Sequence, residues 1–218
     1  MPRDEGYMAL LKERVLEAVA ESSHTETECT LEFGRTELHL GFSRRKPTPD
    51  GRVKWAPYPG GYVERDLPVL VVRDRRGAPL CVVCSATAHP SILTDYLISA
   101  DFPGVACRLI EHQLGGRVMA MFLQGPAGEV KTITNADVAQ ARWRKGTYDD
   151  VRRAGEMVAS AVLQVMEEGL KTVRPILTSA LSRAQLPTLL TEDPLDFYNR
   201  VEFLRSLADE GRQKALEQ

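Results

Sequence analysis

A chain of 218 residues is long enough for one ordinary α/β domain, or for one domain with a small appendage. A hydrophobic fraction of 43% and a charged fraction of 27% are those of a globular protein. The net charge of −2, from 28 basic and 30 acidic residues, argues against nucleic-acid or anionic-membrane binding by bulk charge, so no nucleic-acid partner is expected.

No stretch approaches the roughly 18 apolar residues of a membrane span, so no transmembrane segment is expected. The opening residues, Met-Pro-Arg-Asp-Glu-Gly, form no apolar signal region, and a cytoplasmic location is expected. Cys29, Cys81, Cys84 and Cys107 then read as reduced thiols rather than a disulfide frame. The clusters Arg44-Arg45-Lys46 and Arg73-Asp74-Arg75-Arg76 are flanked by turn residues and read as solvated loops.

In chain order, Tyr7, Leu10, Leu11, Val15, Ala18 and Val19 recur at helical spacing and predict an amphipathic helix. Residues 31–42 hold two alternating runs around Gly34, which suggests a hairpin. The Pro- and Gly-rich residues 46–62 predict a surface loop, one that could lie over a site. Residues 67–72 read as a strand, 75–77 as a turn, and 80–88 as a strand buried on both faces in mid-sheet. Asp101 is placed to cap a helix with Pro103 in its first turn, burying Phe102, Val105, Ala106, Leu109, Ile110 and Gln113-Leu114, and stopping at Gly115-Gly116. Residues 118–123 predict another buried strand. Thr147, with Asp150 three residues later, opens a long helix over 148–171, whose stripe holds Val151, Gly155, Val158, Val162, Val165 and Met166. Residues 173–184 read as a strand, and Pro194 opens a final amphipathic helix. The class is therefore α/β, a mixed β-sheet sandwiched by helices, with a core over 1–184 and a C-terminal helical segment over 185–218.

His89 follows a buried strand, at the edge where open α/β sheets bind ligands, and Pro90 fixes the chain direction there. Taken alone, a single histidine in that place is more often structural than catalytic. The run Gln124-Gly125-Pro126-Ala127-Gly128 ends the next strand; its glycines suit either backbone donation to an oxyanion or a plain turn. Cys81 and Cys84 match a CxxC spacing, but residues three apart on a strand point to opposite faces and cannot grip one metal. His24, His39 and His112 have no ligand-like spacing.

Read together, Ala86-Thr87-Ala88-His89-Pro90, Ile98-Ser99-Ala100-Asp101-Phe102-Pro103-Gly104 and Phe122-Leu123-Gln124-Gly125-Pro126-Ala127-Gly128-Glu129-Val130 resemble a motif series of the neutral/alkaline ceramidase-like family. Ser43-Arg44-Arg45 is similar to the segment that precedes these motifs there, and the similarity spans roughly residues 7–184, the central part of that family's N-terminal catalytic domain. The resemblance implies a zinc amidohydrolase that cleaves the N-acyl bond of ceramide or a related lipid amide. Zinc would polarise the carbonyl and activate a water. By position His89 would be a zinc ligand, Arg44 and Asp101 would be catalytic, and Gln124, Gly125 and Gly128 would form the substrate or oxyanion loop.

Two departures shape the expectation. The family's His-x-His ligand motif is missing from this sequence, and its Glu and Tyr ligands fall beyond residue 218. Lys131 stands where the ceramidases carry a serine, placing a cation beside the metal pocket. An incomplete zinc site, poorly occupied and inactive unless a partner chain or a missing segment completes it, is one reading. A non-catalytic binding or scaffold domain that keeps the fold is the other.

Overall fold

Residues 4–24, 26–176 and 178–185 are described in a computed structural model of the chain. The chain divides into two units, Met1–Pro175 and Ile176–Gln218. The described residues of the second unit carry no helix or strand, and the helix expected from Pro194 lies outside the described residues.

Helix α1 (Glu5–Ser23) begins at Asp4, whose Oδ1 accepts the Tyr7 N–H at 2.9 Å. The expected helix forms, but no residue on it is buried, and its apolar stripe, Leu10, Leu11, Val15 and Val19, stays exposed.

Strand β1 (Cys29–Glu37) runs straight through Gly34, which corrects the hairpin expected there. The glycine marks a close approach instead: a Cβ on it would lie 2.6 Å from Val165 Cγ1. Strand β2 (Gly41–Pro47) pairs antiparallel with β3 (Val53–Tyr58), so the expected loop over 46–62 holds a strand between its Pro and Gly clusters. Strands β4 (Asp66–Asp74) and β5 (Pro79–Ala86) form an antiparallel hairpin around the turn at Gly77, where φ is +82°.

Helix α2 (Asp101–Gln113) then crosses over to β6 (Met119–Gln124), which pairs parallel with β5. Strand β7 (Val130–Thr132) joins β2 in a second sheet, and β8 (Ala136–Asp137) and β9 (Arg142–Trp143) form a short ribbon. Helix α3 (Tyr148–Glu168) carries the expected capping box, with Thr147 Oγ1 accepting the Asp150 N–H and the Asp150 carboxylate accepting the Thr147 N–H. Strand β10 (Lys171–Val173) closes on β1, so the strand expected over 173–184 stops at Val173.

The main sheet has the order β10-β1-β4-β5-β6 and is mixed, which makes the chain α/β. Strand β6 lies at its edge rather than its centre, and Met119, Met121 and Leu123 are exposed there. The apolar run was read as buried on both sides, but only one neighbouring strand covers it, and its side chains alternate between a half-buried and an exposed face. Helices α2 and α3 pack on one face of the sheet, burying Phe102, Ala106, Ile110, Val158 and Val162 against Val69, Val71, Val82 and Cys84. At about 1.5–3 kcal/mol for each large apolar side chain buried, this layer is what fixes α2 against the sheet.

The two helices touch at Gly155, where an added Cβ would stand 2.5 Å from Val105 Cγ1 and 3.1 Å from the Ala106 nitrogen. Gly155→Ala should lower stability in urea unfolding by about 1–3 kcal/mol, because the helices must separate although Ala favours a helix. A stabilised variant would refute the close contact. Cys81 and Cys84 lie on opposite faces of β5, and burial pushes the Cys84 thiol up to about 12. Iodoacetamide at neutral pH should alkylate the exposed Cys29 in the native protein and spare Cys84, as peptide mass spectrometry would read.

Candidate functional site

Because β5 and β6 run parallel with Ala86 opposite Gln124, both chains leave the sheet at one edge. Residues that follow parallel strands at such an edge face a common crevice. Past β5, the His89 N–H donates to Val130 O at 3.0 Å, and His89 bridges Lys131 in parallel. Past β6, the Gly125 N–H donates to Ala86 O at 3.0 Å. Only glycine fits at 125, since a Cβ would stand 2.6 Å from Thr87 Oγ1 and 3.0 Å from Ala86 O. Gln124 Nε2 donates to Ala88 O at 3.1 Å, tying the two strand ends together.

The second sheet brings Arg44, which lies with Arg45 and Lys46 in β2 rather than in the solvated loop expected there. Arg73 likewise lies in β4, paired with Glu32. The Arg44 backbone N–H donates to Glu129 O at 2.8 Å, and its guanidinium donates to Gly128 O, also at 2.8 Å. Arg44, His89, Lys131 and the turn over 124–128 therefore meet where the main sheet joins the β3-β2-β7 sheet.

Asp101 reaches the same place from the start of α2, but its oxygens are committed. Oδ2 accepts the Ile92 and Leu93 N–H groups at 3.0 and 3.1 Å, and Oδ1 accepts the Phe102 N–H at 2.8 Å. The residue is 6% exposed and holds a left-handed φ of 48°. Such a conformation costs about 1 kcal/mol for a non-glycine residue and persists where the surroundings over-determine it. Asp101 is thus the first residue of α2 rather than its cap, which is Ala100 with no side-chain hydrogen bond. Its carboxylate clamps the segment after His89, with three of its roughly four acceptor directions taken by backbone N–H groups.

Lys131 is 6% exposed, and its Nζ donates to Ser91 O at 2.9 Å. Burial pushes its pKa below the ordinary lysine value, the Arg44 charge pushes the same way, and Asp101 opposes them. Nζ stands 6.0 Å from the centre of the Trp55 ring, which is tilted against Trp143 at 6.2 Å. Trp55 also walls an open cleft of about 360 Å³ with Arg44, Arg45, Val53 and Glu129. Trp55 was missed in the sequence because it lies in the stretch read as loop; the alternation Val53-Lys54-Trp55-Ala56 was the available signal.

The expected oxyanion loop is differently employed. The Gly125 N–H is taken by Ala86, and the Gly128 carbonyl serves Arg44. A Cβ at Gly128 would meet nothing within 4 Å, so packing does not demand glycine there. His24, His39 and His112 are exposed and lie outside this site.

A catalytic zinc needs about three convergent protein donors and an open position. His89 offers an imidazole, but Asp101 is spent on backbone N–H groups and the Lys131 ammonium lies in the bridged strand. Among the described residues no group of three or more His, Cys, Asp or Glu side chains converges. These residues do not fit zinc by themselves.

A second buried carboxylate, Asp150, is explained by the fold. Burial opposes its ionisation, yet hydrogen bonds from Thr147, Arg153 and Arg144 outweigh burial and hold its pKa below the usual range. It joins the start of α3 to the segment after β9.

Asp101→Ala would strand the three backbone N–H groups it now satisfies. Urea unfolding should show a loss of about 3 kcal/mol or more. A loss under about 0.5 kcal/mol, the range of an ordinary surface substitution, would deny the clamp.

No protein-family model matches the chain, and no curated protein matches it in sequence. Two solved structures are similar in fold, the neutral ceramidase from Pseudomonas aeruginosa and a ceramidase complexed with C2. Each aligns at a TM-score of 0.51 and 21% identity over 65% of this chain. The chain spans 23% of the length of those structures, and what it shares with them is a ceramidase-like fold.

Proposed function

We propose that this chain is a ceramidase-like amidohydrolase domain whose zinc centre is incomplete within the chain, so that the isolated protein does not cleave amides. The observation that supports this most directly is the meeting of Arg44, His89 and the turn over 124–128 at the C-terminal edge of the parallel strand pair. In this reading the substrate is an amide with an N-acyl group, of the lipid amide class. Arg44 presents its charge to the acyl oxygen, and Asp101 acts on the site by holding the segment after His89. The donors that complete a zinc site come from a partner chain or from protein outside residues 1–218.

The finer points belong to the same proposal. No helix among the described residues is long and apolar enough to cross a membrane. The four free cysteines support a reducing, cytoplasmic setting. A non-catalytic binding domain is the second reading, and the buried Lys131 ammonium, fixed on the Ser91 carbonyl two residues past His89, favours it, since a fixed cation repels a metal ion.

Metal content by elemental analysis, with N-acyl amide hydrolysis measured alongside, tests the proposal on the purified chain and on His89→Ala. Clearly less than one zinc per chain and no hydrolysis are expected, with neither changed by the substitution. Stoichiometric zinc that disappears in His89→Ala would show that the site is complete within the chain or its oligomer, and the incomplete-site reading would fail.

A further inference from the structure

The charges around the cleft do not balance locally. Glu129 is paired with Arg45 at 3.2 Å across the rim. Arg44 spends its guanidinium on one carbonyl and Lys131 its ammonium on another. Among the described residues, neither makes an ion pair with a carboxylate within 4.0 Å. Lys131 feels the negative charge of Asp101, but that carboxylate is turned onto backbone N–H groups. Arg44 and Lys131 also repel each other, Lys131 lying diagonally across from Arg44 on the paired strands β2 and β7. A buried cation without an anionic partner is unfavourable, and an incoming anion would relieve it.

The third element is apolar. Trp55 and Val53 wall the same cleft, and Lys131 Nζ, which does not line it, stands 6.0 Å from the centre of the Trp55 ring, within cation–π range. A bare inorganic ion would gain nothing from these side chains. A carboxylate joined to a flat apolar body would gain from both, its oxygens meeting the guanidinium fork and its body lying on the indole.

We propose that this cleft is a binding site for an organic carboxylate, held by the Arg44 guanidinium and stacked on Trp55, with the buried Lys131 ammonium behind the lining adding positive potential. The inference goes beyond the amidohydrolase reading and does not depend on it. Zinc content and hydrolysis decide the earlier proposal, and anion affinity decides this one.

Calorimetric titration of the full chain with benzoate, acetate, benzylammonium and inorganic phosphate tests it. Benzoate should bind at least about tenfold tighter than each of the other three. Arg44→Gln and Trp55→Ala should each weaken benzoate by about tenfold or more, as should Lys131→Met, while Arg75→Gln on the distant β4–β5 turn should change nothing. If Lys131→Met fails to fold, Arg44→Gln decides, because Arg44 is only half-buried and its loss opens no cavity in the core. Benzylammonium or phosphate binding as tightly as benzoate would overturn the proposal, as would no benzoate binding or full affinity in Arg44→Gln.

Discussion

Three backbone N–H groups converge on the carboxylate of Asp101, and the geometry of the site depends on that convergence. The segment after His89 has no strand or helix to satisfy its amides, so the buried Ile92 and the half-buried Leu93 would be left with unmet donors. One ionised side chain answers both, and the Phe102 N–H in the first turn of α2 as well. Charge-assisted bonds of this kind are worth roughly twice a neutral one, which is enough to hold Asp101 in a left-handed conformation. Because α2 is itself anchored by Phe102, Ala106 and Ile110 in the core, the clamp transmits the rigidity of the core to the strand end that carries His89.

That rigidity matters because the site is made by two sheets. The main sheet supplies His89 and the turn after β6, while Arg44 and Lys131 come from β2 and β7. The junction is a single parallel bridge at His89 and Lys131, reinforced by the His89 N–H bond to Val130 and by Arg44 on Gly128. Gly125 lets the two strand ends approach, and the Gln124 amide locks them. Polar groups that might have served a substrate, the Gly125 N–H and the Asp101 oxygens, are instead spent on assembling the corner. What remains open at the cleft is the Arg44 guanidinium and the Trp55 ring, beside the mutually paired Arg45 and Glu129, an arrangement suited to anions more than to cations.

The resemblance of motifs and the likeness of folds agree on the scaffold and stop there. At 21% identity over part of a much longer protein, the neighbours speak for the path of the chain. The Asp101 carboxylate fits that limit, since here it does a folding task, holding the segment after His89. Lys131 in the bridged strand is where this chain's chemistry departs most visibly.

Local patterns were enough for the positions of α2, α3, β4 and β5 and for the capping box at Thr147 and Asp150, because each is written in neighbouring residues as period and stop, whereas the cap read at Asp101 did not form. The motif at 98–104 and the glycine turn at 124–128 were also legible as marks of a site. Tertiary structure decided matters that depend on distant partners. An apolar run at 118–123 looks the same in the centre of a sheet and at its edge, and pairing alone placed β6 at the edge. Gly34 reads as a turn until Val165, far along the chain, is found packed against it. Trp55 became part of the site only when β3 paired with β2 beside Lys131. Sequence names Asp101 as the cap of α2, but in the folded chain Ala100 holds that position, and the Asp101 carboxylate accepts the amides of Ile92, Leu93 and Phe102 instead. Sequence specifies which groups are available; long-range packing determines which of them are already satisfied and which are left to meet a ligand.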